Sequence, residues 1–190
     1  MIELFDSHCH VDEEYFDEDR EEVLRRMSEA GVTRYAVLGS DMPLSRRAAD
    51  YAAAHPGCWA AIGIHPGCAD TFREEDLDTL ASWSREEKVA AIGEIGLDYH
   101  YPDGPDRATQ KRVCEAQMEL AWALKLPVAY HIREAHQDMI DILKAHRAQL
   151  TGGIIHCFSG SWENAKEYLK LGYYISFAGP VTFKKAPRLQ

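Results

Sequence analysis

Basic residues are scarce in this sequence, and their scarcity limits the partners that the protein can bind. The 190 residues include 31 Asp and Glu but only 21 Lys and Arg, which gives a formal net charge of −10. A broad basic face of the kind that holds nucleic acid is therefore absent. The acidic balance disfavours polyanionic ligands except where bound metal ions reverse the charge locally.

Paired cysteines and long apolar runs are also missing. The five cysteines are widely spaced and include no C-x-x-C pair: Cys9, Cys58, Cys68, Cys114 and Cys157. An odd, scattered set does not form a disulfide framework, so we expect a reducing, cytoplasmic location. No secretory signal precedes the first apolar run, and no apolar run approaches membrane-spanning length. We therefore expect no membrane partner.

Two signatures of other enzyme classes are absent as well. The serines include no G-x-S-x-G motif, and the glycines form no phosphate-binding loop. The candidate catalytic groups are instead histidines and carboxylates.

Short apolar runs alternate with amphipathic helical patterns along the whole sequence. We predict seven strands, at residues 2–5, 34–39, 59–64, 89–92, 128–130, 153–155 and 173–177. Such alternation is typical of α/β proteins with a parallel sheet. No compositional break divides residues 1–190, so we expect one domain. Because a complete (β/α)8 barrel has ~250 residues, the sequence predicts a TIM-barrel-type α/β fold truncated to about seven strands.

Histidines and one glutamate occupy the ends of five predicted strands. The motifs are His8-Cys9-His10, Gly63-Ile64-His65-Pro66, Gly93-Glu94-Ile95-Gly96-Leu97-Asp98, His131-Ile132-Arg133 and His156-Cys157-Phe158. A single histidine so placed is more often a core residue than a ligand. The carboxyl ends of barrel strands converge on one face, however, and independent core histidines have no reason to share that position. The pattern therefore predicts a metal site at the barrel mouth.

Spacing and burial suggest how these residues bind metal. His8 and His10 are two residues apart, so on a strand both point to one face, where two imidazoles can bind one cation. The alternative is a pair of surface histidines. Asp6 shares that face and can orient an imidazole. Glu94 follows an apolar run, where a carboxylate is costly unless it is paired or metal-bound. It can bridge two ions or pair with an arginine in the barrel, and Asp98 is expected to shape the loop or to contact a ligand.

Two residues beside the predicted ligands are candidate substrate contacts. His65 can act as a ligand, an acid–base group or a phosphate contact. Arg133 is a candidate anion clamp because a guanidinium pairs bidentately with phosphate or carboxylate. The alternative for Arg133 is a surface ion pair with Glu134 or Asp138.

The other histidines, two cysteines and the last basic residues give weaker signals. His55, His136 and His146 fall in helical patterns and are predicted to lie at the surface. Cys9 and Cys157 adjoin predicted ligands but point to the opposite strand face, so we expect them to pack. Three basic residues follow the seventh predicted strand, where barrels often place phosphate sites: Lys184, Lys185 and Arg188. They are candidate phosphate contacts, and the alternative is a solvated tail.

Five blocks of the sequence together resemble the signature blocks of the TatD-type metal-dependent hydrolases, or TatD DNases. They are DSHCHVD at residues 6–12, GIHP at 63–66, GEIGLDY at 93–99, HIREA at 131–135 and HCFSG at 156–160. The resemblance implies a TIM barrel that holds two divalent metal ions (Zn, Mn or Mg). It implies that His8 and His10 hold one ion, that Glu94 bridges the two, and that His131 and His156 hold the second. Glu94 and His65 are then the catalytic residues, with His65 and Arg133 beside the substrate.

Two departures from the family pattern bear on activity. Gly67 stands where family members often carry a second histidine, which is expected to loosen a phosphate contact. The family's aspartate at the end of an eighth strand, in a Glu-Thr-Asp-x-Pro context, has no counterpart before Gln190. We therefore expect weak binding of the first metal ion. We also expect either self-association through the open barrel edge or a longer parent protein.

The resemblance implies metal-dependent hydrolysis of phosphodiester bonds in DNA or in small phosphodiesters. Two alternatives stay open from the residues alone. One is an amidohydrolase-like enzyme that cleaves amides or esters, slightly favoured by the scarcity of basic residues. The other is a non-catalytic metal-binding protein, inactive without the eighth strand.

Overall fold

The computed structural model describes residues 3–186, in which seven strands form one parallel sheet with helices in the connections. Strands that follow one another in sequence are neighbours in the sheet, so β1 and β7 are its two edges within the described residues. The strands are β1 (Leu4–Cys9), β2 (Val32–Leu38), β3 (Cys58–Ile62), β4 (Val89–Asp98), β5 (Val128–Arg133), β6 (Gly153–His156) and β7 (Tyr173–Ile175). The predicted α/β barrel-like class with seven strands is confirmed.

The helices alternate with the strands as the apolar periodicity predicts. They are α1 (Arg20–Glu29), α2 (Met42–Ala54), α3 (Glu74–Trp83), α4 (Arg107–Leu124), α5 (His136–Ala145) and α6 (Trp162–Lys170). Short 3-10 turns lie at Glu14–Phe16, Pro66–Thr71, Arg147–Gln149 and Gly179–Thr182. Among residues 3–186, none of the helices combines the length and the hydropathy that crossing a bilayer requires.

Two strands extend further than predicted, and both extensions carry site residues. The first was expected at residues 2–5, but β1 continues to Cys9, so His8 lies inside the strand. Ile2, the expected first residue, lies outside the described residues. The fourth was expected to end at Ile92, but β4 continues through Glu94 to Asp98.

Glycines allow β4 to continue past its apolar run. Gly93 and Gly96 have φ angles of +155° and +142°, which L side chains rarely adopt. A Cβ atom at Gly93 would collide with the backbone of Ala129, and one at Gly96 with that of His131. Close approach of β5 therefore requires glycine at both positions, and the two strands stay paired as far as the site.

The two faces of the sheet carry side chains of different size, as strand alternation permits. Large side chains on one face pack against the helices in the main core: Val37, Ile62, Ile92, Tyr130 and Ile155. Alanines on the other face line a cavity of about 430 Å³: Ala36, Ala61, Ala91 and Ala129. Phe5, Arg34 and Trp59 line the same cavity, and the large residues of the first face hold the helical layer.

The longest helix, α4, packs along β4 and carries polar groups on its buried side. It begins after Asp106, whose carboxylate accepts hydrogen bonds from the backbone N–H groups of Ala108 and Thr109. Its buried residues recur at helical spacing: Gln110, Val113, Cys114, Gln117, Met118 and Ala121. Two of these are glutamines, and their partners lie in the candidate site.

Candidate metal centre

His8 and His10 project from the carboxyl end of β1 and converge, as their spacing predicts. Their Nε2 atoms lie 3.3 Å apart. The Asp6 carboxylate accepts a hydrogen bond of 3.1 Å from the backbone N–H of His8. Asp6 therefore fixes the strand end that carries the pair, and it acts through the backbone rather than through an imidazole.

Glu94 lies at the centre of the cluster, with its two carboxylate oxygens directed at different histidines. Oε2 is 3.4 Å from His8 Nε2, and Oε1 is 3.0 Å from His131 Nδ1. Burial raises the pKa of Glu94, but hydrogen bonds from His131 and His8 outweigh burial and hold that pKa well below its ordinary value. Among residues 3–186, the ion pairs of Glu94 are with His8 and His131. The alternative prediction, a pair with an arginine inside the barrel, is therefore not observed there.

His131 is held between two buried carboxylates. Its Nδ1 faces Glu94, and its Nε2 is 2.9 Å from Asp98 Oδ2. Burial lowers the pKa of His131, but the two carboxylates outweigh it and the net pKa is raised. Asp98 also accepts a hydrogen bond of 2.9 Å from the backbone N–H of His100. Asp98 therefore both shapes its loop and contacts a predicted ligand.

His156 stacks on His8, with ring centroids 3.3 Å apart. Burial, followed by the proximity of His8, lowers the pKa of His156 to about 3, so its imidazole is neutral at physiological pH. The buried Nδ1 atoms of His8 and His156 have no hydrogen-bond partner among the described residues. The neutral imidazole of His156, packed on the imidazole of His8 beside the ionised carboxylate of Glu94, forms a donor set that suits a divalent cation.

Two groups of three potential donors lie close enough together to hold a metal ion. One contains His8, Glu94 and His156, and the other contains His65, Asp98 and His131; within each group the donor atoms lie within 4.8 Å of one another. Glu94 belongs to the first and contacts His131 of the second. In the structure His156 thus lies with His8, whereas the family resemblance places it with His131.

His65 follows β3 and lies against His131, with ring centroids 4.3 Å apart. Its Nδ1 accepts a hydrogen bond of 2.9 Å from the backbone N–H of Gly67. Burial, followed by the proximity of His131, lowers the pKa of His65 to about 4. A neutral His65 with Nδ1 as an acceptor carries its proton on Nε2. A Cβ atom at residue 67 would lie 3.1 Å from Nδ1, so Gly67 permits this close contact.

Two buried glutamines of α4 fix the backbone beside site residues, and the sequence analysis missed both. The Gln117 carboxamide accepts from Ile64 N (2.7 Å) and donates to Ile64 O (3.0 Å). The Gln110 carboxamide accepts from Asp98 N and donates to Asp98 O, both at 2.8 Å. The sequence signal that could have identified them is their position in the apolar stripe of α4, because a buried side-chain amide needs a hydrogen-bond partner.

Arg133 lines a cavity of about 390 Å³ beside the cluster, together with His131, His156, Cys157 and Ser159. Its guanidinium lies 5.2 Å from the centre of the Tyr101 ring and donates to the Tyr101 hydroxyl at 3.2 Å. The alternative ion pairs do not form. Glu134 pairs with His100 at 2.7 Å and Asp138 with Lys111 at 2.8 Å. Arg133 has no carboxylate partner among residues 3–186.

The three histidines that were expected at the surface, His55, His136 and His146, are each partly buried. His136 packs between Phe158 and Tyr168, with its Nδ1 3.1 Å from the Tyr168 hydroxyl and its Nε2 buried. The prediction for His136 was wrong because the covering residues, Phe158 in the loop after β6 and Tyr168 in α6, are distant from it in sequence. The predicted packing of Cys9 is observed: burial raises the pKa of its thiol to about 12. Of the three basic residues near the end, Lys184 and Lys185 are exposed, and Arg188 lies outside the described residues.

The sequence matches known proteins over nearly its whole length. A family model described as TatD related DNase matches residues 5–190. The YabD protein of Bacillus subtilis, named an uncharacterized metal-dependent hydrolase, is 45% identical over 185 residues, which cover 97% of this chain and 72% of that protein. The protein of Cronobacter turicensis named 3'-5' ssDNA/RNA exonuclease TatD is 35% identical over 176 residues, which cover 93% of this chain and 66% of that protein.

Solved structures show the same fold. YjjV, a TatD homologue from Escherichia coli K12, aligns with a TM-score of 0.88 and 34% identity over 96% of this chain and 71% of its own. A TatD-family hydrolase of Entamoeba histolytica aligns with a TM-score of 0.81 and 23% identity over 92% of this chain and 64% of its own, which supports the fold alone. The residues of the histidine cluster lie within the matched range, and the chain belongs to the family of TatD-related DNases.

Proposed function

We propose that this protein is a metal-dependent phosphodiesterase that cleaves DNA or small phosphodiesters with two divalent ions, Zn, Mn or Mg. The ions would be held by His8, His10, Glu94, His131 and His156. The observation that carries the proposal is that Glu94 directs one oxygen at His8 and the other at His131, because a carboxylate so placed can bridge two ions. The Cronobacter relative's name, a single-stranded DNA and RNA exonuclease, supports the substrate class.

Bound divalent ions would supply a water of lowered pKa and neutralise charge on the phosphate oxygens. The side chains of the protein position the reactants around them. The carboxylate of Asp98 holds the imidazole of His131 through Nε2. The Nε2–H of neutral His65 donates a hydrogen bond to a phosphate or leaving-group oxygen, because Gly67 occupies Nδ1. His65 is therefore proposed as a catalytic donor rather than a metal ligand.

Arg133 is proposed to bind the phosphate of the substrate. Its guanidinium lines the cavity that His131 and His156 also line. It has no carboxylate partner among residues 3–186, and the Tyr101 ring holds it in place. In a protein of net charge −10, an unpaired guanidinium beside the cluster provides local attraction for an anion.

The proposed function is tested by assaying the purified protein with Mn, Zn or Mg on bis(p-nitrophenyl) phosphate, on a single-stranded oligonucleotide and on an N-acyl amino acid. We expect hydrolysis of both phosphodiesters, abolished by EDTA and by Glu94→Gln. Hydrolysis of the N-acyl substrate alone would indicate the amidohydrolase-like alternative. Metal binding without turnover of any substrate would indicate a non-catalytic protein.

We also propose that two copies associate through the open sheet edges in a reducing compartment such as the cytoplasm. β1 and β7 each have one unpaired side within the described residues, and Phe5 and Tyr174 on these strands are exposed. Unpaired edges of this kind template pairing with another chain. All five cysteines are free thiols. Light scattering that shows a monomer over a wide concentration range would contradict the association.

A further inference from the structure

Two adjoining depressions lead away from the histidine cluster along the loop between β6 and α6. The first, of about 390 Å³, is lined by His131, Arg133, His156 and Ser159 among others. The second, of about 320 Å³, is lined by Ser159, Gly160, Ser161 and Trp162. Ser159 lines both depressions, so they adjoin at this residue, and together they are called the Ser159 trough. The trough begins at His131 and His156 and ends at Trp162.

Trp162 presents an indole ring to solvent at the far end of the Ser159 trough. It is the first residue of α6, and 68% of it is exposed. The helix start is well fixed: the Ser161 hydroxyl accepts from Asn164 N at 3.2 Å, and Asn164 Oδ1 accepts from Ser161 N at 3.0 Å. The ring contacts the ammonium of Lys166, 5.8 Å from its centre. The start of the helix that carries the indole is therefore fixed, and most of the surface of Trp162 is accessible.

Several exposed aromatic side chains lie in segments that follow strands. Five of the eight found among residues 3–186 follow the carboxyl ends of strands: Tyr15, Tyr101, Trp162, Phe177 and Phe183. The other three are Phe5, Trp122 and Tyr174. Exposed apolar groups that cluster beside a functional site indicate a binding surface. Of the five, Trp162 is the one that lines the Ser159 trough.

One basic side chain in the Ser159 trough suits a phosphate group. Arg133 lines the first depression and has no carboxylate partner among the described residues. Positive groups that follow a backbone, combined with aromatic rings that stack on bases, are how proteins bind single strands without reading sequence. A duplex offers no such fit, because its bases are already stacked and paired.

We propose that the Ser159 trough binds the nucleotide next to the scissile phosphate of a single-stranded nucleic acid, with its base stacked on Trp162. The proposal rests on the phosphodiesterase function proposed above and adds to it a stacking residue, Trp162, beyond the scissile linkage. Arg133 holds the scissile phosphate, Ser159 lies beside the neighbouring sugar, and Trp162 receives the base. The trough therefore favours longer single strands over dinucleotides and over blunt duplex ends.

The test measures binding of fluorescein-labelled single strands, from dinucleotide to hexanucleotide, by anisotropy in EDTA and again with the active metal. Alanine replacement of a stacking aromatic typically weakens binding by about 5- to 160-fold per base. We expect Trp162→Ala to weaken tetranucleotide binding to that extent and to remove its advantage over the dinucleotide. Trp162→Phe should retain most of the advantage. Trp122→Ala, which changes an exposed tryptophan on α4, is the matched control. It should leave the tetranucleotide affinity, and its advantage over the dinucleotide, unchanged.

The outcomes separate this proposal from the function on which it rests. If the wild-type protein hydrolyses bis(p-nitrophenyl) phosphate but Trp162→Ala keeps the wild-type length dependence, the subsite is overturned and the phosphodiesterase function stands. Binding of blunt duplexes as tightly as single strands of the same length also overturns the subsite. If the wild-type protein hydrolyses no phosphodiester with any metal, both proposals fail. Quenching of tryptophan fluorescence by the tetranucleotide, present in Trp122→Phe and lost in Trp162→Phe, would support stacking directly.

Discussion

The carboxamide of Gln117 on α4 forms hydrogen bonds with both polar backbone groups of Ile64, the residue before His65. The two distances are 2.7 Å to Ile64 N and 3.0 Å to Ile64 O. Gln117 is fully buried, so no solvent competes for these groups. The interaction joins the longest helix to the segment that follows β3, and it fixes the backbone from which the His65 imidazole reaches the site.

We expect Gln117→Leu to destabilise the protein, because the backbone N–H and C=O of Ile64 would remain buried without partners. Each unsatisfied group costs about 1–3 kcal/mol. The free energy of unfolding, measured in urea, should fall accordingly, while Gln137→Leu at an exposed position of α5 should change it little. The kcat of Gln117→Leu should also fall, because the His65 backbone is less constrained. Unchanged stability would show that solvent or a rearranged side chain replaces the carboxamide.

Removal of the Glu94 charge should abolish metal-dependent stabilisation. A metal ion at 100 times its dissociation constant stabilises a folded protein by about 2.7 kcal/mol. We expect Mn or Zn to raise the melting temperature of the wild-type protein, and we expect no such rise for Glu94→Gln, which lacks the central carboxylate. Glu163→Gln, at an exposed position of α6, is the control. A full metal-induced rise in Glu94→Gln would show that the histidines bind the ions alone.

The sequence predicts the parts of the site that depend on one strand. The convergence of His8 and His10 follows from the two-residue period of a strand. The central role of Glu94 follows from the cost of burying a carboxylate. Both predictions use only the alternation of side chains along one strand and the polarity of a residue within an apolar run. The family resemblance adds the two-metal chemistry, which the residues alone leave open.

Contacts between distant segments could not be predicted in the same way. Gln117 and Ile64 are 53 residues apart, and nothing in a helical stripe shows which backbone its amide meets. His136 is covered by Tyr168, which is 32 residues later in the chain, so its helical pattern alone wrongly indicates exposure. The extent of β4 is a third case. Whether Gly93 ends a strand or permits its continuation depends on the neighbouring strand β5.

Replacement of Arg133 should weaken substrate binding more than turnover. Loss of a hydrogen bond to a charged group costs about 1.5–3 kcal/mol, which corresponds to a rise of about 10- to 100-fold in KM. We expect such a rise for Arg133→Ala on bis(p-nitrophenyl) phosphate, with a smaller effect for Arg133→Lys. Arg112→Ala, which removes an exposed arginine near Phe72, is the control. A fall in kcat alone would instead indicate that Arg133 stabilises the transition state and not the bound substrate.

The buried His136 should make the protein sensitive to acid. Burial lowers the pKa of His136 from 6.5 to about 4. Between these values the unfolded chain binds a proton that the folded protein does not, so stability falls as the pH drops through this window. We expect His136→Phe, which keeps a ring between Phe158 and Tyr168, to lose less stability between about pH 7 and about pH 5. Urea unfolding in EDTA measures the difference.

His146 provides a control of opposite sign for the acid sensitivity. Its pKa is raised by hydrogen bonds with Gln149 and Glu115, so the folded state binds its proton more tightly than the unfolded chain. Its contribution to stability is present in acid and is lost as the pH rises through the folded pKa. His146→Gln should therefore steepen the loss of stability on acidification, while His136→Phe reduces it. If both variants change the slope in the same direction, a general effect of losing a histidine, and not burial of His136, explains the acid sensitivity.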